Sequence, residues 1–216
     1  MTESIKNLFV SETLGQSWMA ISKQIMKDGY LARYDGAPIK EIAYSTLVTQ
    51  KPDPDDSFIK LHGDPEWLAW MHENFFSFTK VRELGDAASY ATRLFNYSES
   101  GRDQIQWVAE RLNKDKDARS ATITTFQTLS DTTYIPCISL LDFWIPNDEL
   151  ECVVYAHSLD FGKKAYGNLI ELATLQKTVA EKVDRPVGNL IIYVKTAHIY
   201  KPEWDYMNDL FRDSDY

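Results

Sequence analysis

Apolar residues recur at helical spacing near the start of the chain (Leu14, Trp18, Ile21, Ile25), which predicts an amphipathic helix over 14–26 that ends near Gly29. Residues 30–38 read as a turn-rich connector and 39–48 as a strand. Pro52-Asp53-Pro54-Asp55-Asp56 interrupts the pattern as a loop or helix start. Asp64-Pro65-Glu66 then opens a second helix, with Asp as N-cap and Pro at the first position. Trp67, Trp70, Met71 and Phe75 follow on one side of it, a stripe expected to pack into a core, with the wall of a ligand pocket as the alternative. Residues 81–97 predict a loop followed by a short helix or extended piece, and 103–112 an amphipathic helix through Ile105, Val108 and Leu112. Residues 121–129, 138–145 and 150–156 read as strands. Pro146-Asn147-Asp148-Glu149 makes the last two an antiparallel hairpin. The span 169–183 is the longest helical pattern, nearly all apolar on one face, and predicts a buried central helix. A strand over 189–196 and a short helix over 204–211 complete the order. The fold class expected is α+β: a mixed sheet with helices packed on one face.

Composition narrows the function classes. A chain of 216 residues fits one domain, 1–216, and 44% apolar content supports a sizeable core. A net charge of −9 with acids spread along the chain argues against binding nucleic acid or membrane through a basic surface. No signal-peptide pattern opens the chain and no apolar run approaches the ~20 residues of a membrane span. Two cysteines, Cys137 and Cys152, make no disulfide framework, so a soluble, reduced, cytoplasmic protein is expected.

The candidate chemistry lies in Tyr134-Ile135-Pro136-Cys137, His157-Ser158-Leu159-Asp160, Asn168 and His198-Ile199-Tyr200. A reactive Cys needs a nearby cation or helix N-terminus to lower its pKa. Read alone, a Cys such as Cys137 is more often a small buried hydrophobe, the role that suits Cys152 inside its apolar strand. Asn168 is either an N-cap or a reader of a base edge, since one amide offers a donor and an acceptor that match O4 and N3–H of uracil. An Asp there would suit a cytosine edge better. His198 and Tyr200 alternate around Ile199 and share one strand face, where they either bind sugar hydroxyls or pack as satisfied polar rings.

Taken together these residues resemble the thymidylate synthase family, over about 103–204 and more weakly over 63–97. Pro136-Cys137 is similar to the nucleophile motif, Tyr155-Ala156-His157-Ser158-Leu159-Asp160 to the Arg-Ser-x-Asp segment, Asn168 to the base-reading Asn, and His198-Ile199-Tyr200 to the sugar-binding motif. Asp117-Ala118-Arg119-Ser120 resembles the segment that lends an arginine across a homodimer to the nucleotide phosphate. Gly63-Asp64 with His72-Glu73-Asn74 resembles a family helix. Tyr90 stands where a site tyrosine is expected, and Asp56 is nearest to the folate-side glutamate. Ile138 after the Cys and the short C-terminal end resemble the archaeal and viral branch, which also contains nucleotide hydroxymethylases. The resemblance implies a sheet whose second face lies in a dimer interface. It also implies transfer of a one-carbon unit from 5,10-methylenetetrahydrofolate, or a related pterin, to C5 of a pyrimidine nucleotide, uracil by the Asn168 reading. Cys137 would add to C6, Asn168 would steady the charge on O4, Asp160 would orient the folate ring, and Arg119, His157, Ser158, His198 and Tyr200 would bind the substrate. Methylation and hydroxymethylation both fit. Hydroxymethylation is expected, because a chain without the long synthases' closing tail leaves a wetter site.

The pattern departs from the family at the phosphate. His157 stands for a phosphate arginine, Ser120 for a second, and Tyr34-Asp35-Gly36 for an arginine-rich loop. A neutral imidazole gives neither a bidentate grip nor a permanent charge beside the thiol. Arg93, Arg102, Lys163 and Lys164 are candidate substitutes that sequence does not place. The alternative function is therefore a catalytically impaired homologue that binds a nucleotide or serves a structural role.

Overall fold

A computed structural model describes residues 7–132 and 134–213. Strand β1 (Leu8–Ser11) leads into α1 (Leu14–Asp28). Thr13 and Gln16 form a capping box at the head of α1, which satisfies two N–H groups that the helix itself cannot. Residues 30–38 are not the connector expected. They hold β2 (Tyr30–Tyr34) and the beginning of β3 (Ala37–Thr49), joined by Asp35 and Gly36 at φ 47° and 77°. Two successive left-handed residues make the tight hairpin that the strand twist favours. Acidic side chains and Ser89 then start a series of helices by accepting from first-turn N–H groups: Asp56 for α2 (Ser57–His62), Asp64 for α3 (Pro65–Phe76), Ser89 for α4 (Tyr90–Phe95) and Asp103 for α5 (Gln104–Lys114). A small ribbon, β4 (Lys80–Val81) with β5 (Ala87–Ala88), precedes α4.

Strand β6 (Ala121–Thr124) stops well short of 129, because the Thr124 hydroxyl bonds to the carbonyls of Phe126 and Ser139 and turns the chain away. Strands β7 (Ile138–Trp144) and β8 (Leu150–Asp160) form the expected antiparallel hairpin. Helix α6 (Ala165–Lys182) begins four residues earlier than its apolar pattern, β9 (Val187–Tyr200) runs past His198, and α7 (Trp204–Asp213) follows. The sheet order is β1-β3-β9-β8-β7-β6, with β2 also on β3. β1 lies parallel to β3 and β8 parallel to β9, and the other pairs are antiparallel. The sheet is thus mixed and the class α+β, as the pattern predicts.

Helix α1 packs on β3 and β9, and α6 on β8 and β9, while α3 and α5 lie against α6. Twelve residues of α6 are buried, which makes it the central helix of the core. The far face of the sheet carries Trp144, Tyr155 and Tyr193, exposed in the single chain. Among the described residues no helix is long and apolar enough to cross a membrane.

One irregularity crosses the sheet and places the site. In β9 the core-facing series is even (Leu190, Ile192, Val194) and then odd (Ala197, Ile199). In β8 it is even through Ala156 and then continues at Leu159; in β3 it is odd at Leu47 but even at Ile42. The slips fall side by side. Tyr44 takes φ 55° between the pairs Ala43–Thr196 and Ser45–Val194, His157 lies between Ala156–Val194 and Ser158–Thr196, and β7 bulges at Ser139. Strict alternation would carry Ser158 and His198 into the core behind Ala156 and Val194. The slip turns Ser158, Asp160, His198 and Tyr200 to the other side.

Candidate active site

Those four side chains meet the end of α6, part of α3 and the loop before β7 around a cavity of about 140 Å³. Cys137, Tyr90, Asn168, Ser158, Asp160, His198 and Tyr200 all line it. Seven of the ten residues that the sequence reading selected are therefore brought together. Three are not. Asp56 is tied to structure: its two carboxylate oxygens accept from Gly15 N–H and Ile59 N–H, both at 2.9 Å, in a buried position away from the cavity. Arg119 lies exposed on the far edge with its guanidinium 5.3 Å from the Trp144 ring centre. His157, on the slip row, lines a neighbouring cavity of about 270 Å³ with Arg33 and Lys195. Tyr34, Ser158 and His198 line both cavities.

Cys137 sits just before β7, and its carbonyl accepts from His157 N–H at 2.9 Å. The next amide, Ile138 N–H, donates to the Tyr90 hydroxyl at 3.0 Å, so Tyr90 fixes the backbone beside the thiol. Tyr90 is in turn held by Asn74, whose side-chain oxygen accepts from Tyr90 N–H at 3.0 Å, and by the Phe75 ring at 4.5 Å. Burial pushes the Cys137 thiol up, while the Lys164 ammonium and a hydrogen bond from Tyr134 pull it down. Cys152 is fully buried in β8 and carries no such partners.

Asn168 is not an N-cap. It lies inside the first turn of α6, where its N–H bonds to the Lys164 carbonyl. Its amide points away from the helix ladder and, among the described residues, donates only to the Met71 sulfur, at 3.2 Å. A thioether is a weak acceptor, so the amide keeps most of its hydrogen-bonding capacity for a ligand. His198 is buried and hydrogen-bonded to Ser158 at 3.3 Å, with Tyr34 and Tyr200 packed edge-on at 5.5 and 5.1 Å. Burial first, and Lys164 second, bring its pKa down to about 4, so the ring is neutral at physiological pH. Asp160 is pushed up to about 7, by burial and then by Glu203. It can thus either donate or accept near neutral pH.

Among the other residues that line the cavity, three bear on its chemistry. Tyr134 was in the stretch but without a role, and Tyr34 was hidden in the supposed connector. Lys164 was one of four interchangeable cations. Of the others, Arg93 is buried against Asp131, Arg102 lies 5.4 Å from the Trp107 ring centre and Lys163 4.5 Å from that of Trp67. The α3 stripe divides by depth: Met71 and Phe75 are core, while Trp70 and Met71 also wall the cavity.

Comparison with known proteins gives the family. The family model for thymidylate synthase matches residues 39–215. A Methanococcoides burtonii protein named "Putative thymidylate synthase" is 29% identical over 217 residues, spanning 97% of this chain and 96% of the relative. Proteins of the same name from Methanosarcina acetivorans and Methanothermobacter marburgensis are 29% and 27% identical, covering 82% and 88% of this chain and 81% and 91% of theirs. A match over most of the length, with Cys137, Asn168, His198 and Tyr200 around one cavity, identifies the chain as a member of the thymidylate synthase family.

Proposed function

We propose that the protein transfers a one-carbon unit to C5 of a uracil nucleotide through a covalent adduct of Cys137 at C6. The observation that carries this reading is that Cys137 and Asn168 line one cavity. Its 140 Å³ is a few waters' share of liquid, on the scale of a single pyrimidine ring rather than a whole nucleotide. A ligand entering it would continue over Ser158 and His198 into the second cavity, where Arg33 and Lys195 offer positive charge to a phosphate. The Cys137 sulfur adds to C6, and the charge that develops on O4 meets the Asn168 amide. Asp160, neutral or ionised near pH 7, holds or moves a proton at the cosubstrate side of the cavity. Tyr90 and Tyr134 keep the nucleophile's backbone and sulfur in place.

An open cavity of about 630 Å³ shares Trp70 and Asn74 with the first and is also lined by Lys80 and Arg82. Trp70 offers a face to a flat ring, and Lys80 and Arg82 offer charge to an anionic tail, beside Glu73 and Asp86 in the same lining. Methylenetetrahydrofolate, or a related pterin, supplies the one-carbon unit when bound there. Arg119 lines none of these three cavities, so its role as a phosphate ligand calls for a homodimer through the exposed sheet face. Sedimentation of a monomer at assay concentration removes that role.

Incubation with 5-fluoro-dUMP and methylenetetrahydrofolate is the test, read by intact mass. A covalent adduct that Cys137→Ser abolishes is expected. Turnover of dUMP then distinguishes hydroxymethyl from methyl by product mass. A second reading, a family member that binds the nucleotide without chemistry, is favoured by the upward push of burial on the Cys137 thiol. Binding of dUMP with no adduct at any pH selects it.

A further inference from the structure

The Cys137 cavity is walled mainly by groups that are neutral or acidic. Asp160 comes from β8, His198 and Tyr200 from β9, Tyr34 and Asp35 from the β2–β3 hairpin, Tyr90 from α4, and Tyr134 from the loop before β7. Lys164, at the head of α6, is the one Lys or Arg among the described residues that line it. Of the other candidate cations, Arg93 pairs with Asp131, Lys163 lies over Trp67, and Arg119 is on the far edge over Trp144. Position 157, whose N–H donates to the Cys137 carbonyl from the neighbouring strand, holds an imidazole whose pKa is lowered by burial and by Lys195.

Two features show that Lys164 is placed against local preference. It occupies the N-cap of an 18-residue helix and makes no side-chain capping bond. A cation there faces the positive end of the helix dipole, and the position favours Ser, Asp or Asn. No acidic residue in the first turn offsets it. Instead α3 holds the ammonium, with the ring centres of Trp67 and Trp70 at 5.3 and 5.6 Å. Aromatic faces stabilise a partly desolvated ammonium without neutralising it. A residue that breaks the local rule and is secured from another element points to function.

We propose that the Lys164 ammonium is the charge that favours the thiolate of Cys137 against its buried surroundings, delivered from the head of α6 because position 157 on β8 is a neutral ring. The proposal deepens the functional reading above and rests on Cys137 as the nucleophile. Electrostatics run the same way: Lys164 opposes the effect of burial at Cys137 and Asp160, and at His198 it adds to burial, which is the larger cause of that ring's neutrality. The neutral His198 therefore does not share the task.

The test is alkylation of Cys137 by iodoacetamide from pH 6 to 10, followed by mass spectrometry, on the wild type, Lys164→Met and Lys164→Arg. Cys152, with no exposure, serves as the internal blank. Loss of the charge is expected to raise the midpoint of reactivity by about one pH unit and to slow alkylation at pH 7.5 about tenfold. Lys164→Arg restores both to within about twofold, and the melting temperatures of all three agree. An unchanged midpoint in Lys164→Met overturns the proposal. So does a Lys164→Arg midpoint as high as that of Lys164→Met, which assigns the effect to packing on the tryptophans. Lys164→Gln, which keeps most of the stem, replaces the methionine variant if that one unfolds. No nucleotide enters the assay. Absence of a fluoropyrimidine adduct with a Lys164-dependent profile intact defeats the enzyme reading alone, and the reverse outcome defeats the lysine alone.

Discussion

Arg93 was a candidate phosphate ligand in the sequence and is a brace in the structure. It sits on α4 at 2% exposure, and its guanidinium donates to both Asp131 oxygens at 2.7 and 2.8 Å. It donates further to the carbonyls of Thr125 at 2.8 Å and Ala88 at 3.0 Å. Asp131 also accepts from Gln127 N–H at 2.7 Å. The pair thus ties the helix that carries Tyr90 to the loop that leads into Tyr134 and Cys137. Arg93→Met removes four hydrogen bonds and leaves a nearly buried carboxylate with one backbone donor. Breaking a buried pair on one side costs about 3–5 kcal/mol, since the remaining charge has lost both water and partner. Asp131→Leu leaves the guanidinium stranded in the same way. The double variant Arg93→Met/Asp131→Leu strands neither charge. It should cost less than the two singles together, with a coupling of about 2 kcal/mol. Urea unfolding of the four proteins, with equal m-values, measures the cycle. Singles that each cost under ~1 kcal/mol, or a coupling near zero, would mean a solvated surface pair and refute the brace.

Other outcomes follow from single contacts. Tyr90→Phe keeps the ring on Phe75 but leaves the buried Ile138 N–H without its acceptor, so urea unfolding should show a loss of about 1–3 kcal/mol; no loss means another acceptor takes over. Asn168→Asp turns the donor proposed to face O4 into an acceptor for an amino group, so thermal-shift titration should move preference from dUMP to dCMP by about tenfold or more, and an unchanged ratio removes Asn168 from base reading. Asp160, with its ordinary value of 3.8 raised to about 7, contributes stability that is fully present below pH ~4 and is lost as pH rises through 7. The melting temperature of Asp160→Asn relative to wild type should therefore climb from pH 4.5 to 8, and a constant difference contradicts the assignment.

Helix starts were legible because Asp64, Asp103 and the apolar stripe of α1 are local signals, read within one turn. Strand β2 was not, because Tyr30, Leu31, Arg33 and Tyr34 are exposed at a sheet edge and show no alternation to detect. The ends of β8 and β9 escape the pattern because the slip reverses parity within one strand, and a period-2 reading stops where parity fails. The cluster around Cys137 was legible through motif order, since residue identity is what chemistry constrains. The duties of charged residues were not. Gly162-Lys163-Lys164 presents two lysines that only the packing of α3 on α6 tells apart, and Asp56 looks as acidic in a loop as it does bonded to Gly15.

The slip row has a bearing on how the chain tolerates length changes. Tyr44, Lys195 and His157 stand abreast, so the half of each strand beyond them is indexed to its neighbours rather than to its own beginning. One residue inserted or removed near this line, in a single strand, would turn that strand's distal half over. From β9 it would bury Tyr200 and expose Ile199 while β3 and β8 stayed put. Substitution can reshape this pocket one side chain at a time, but indels can enter there only as matched sets across three strands.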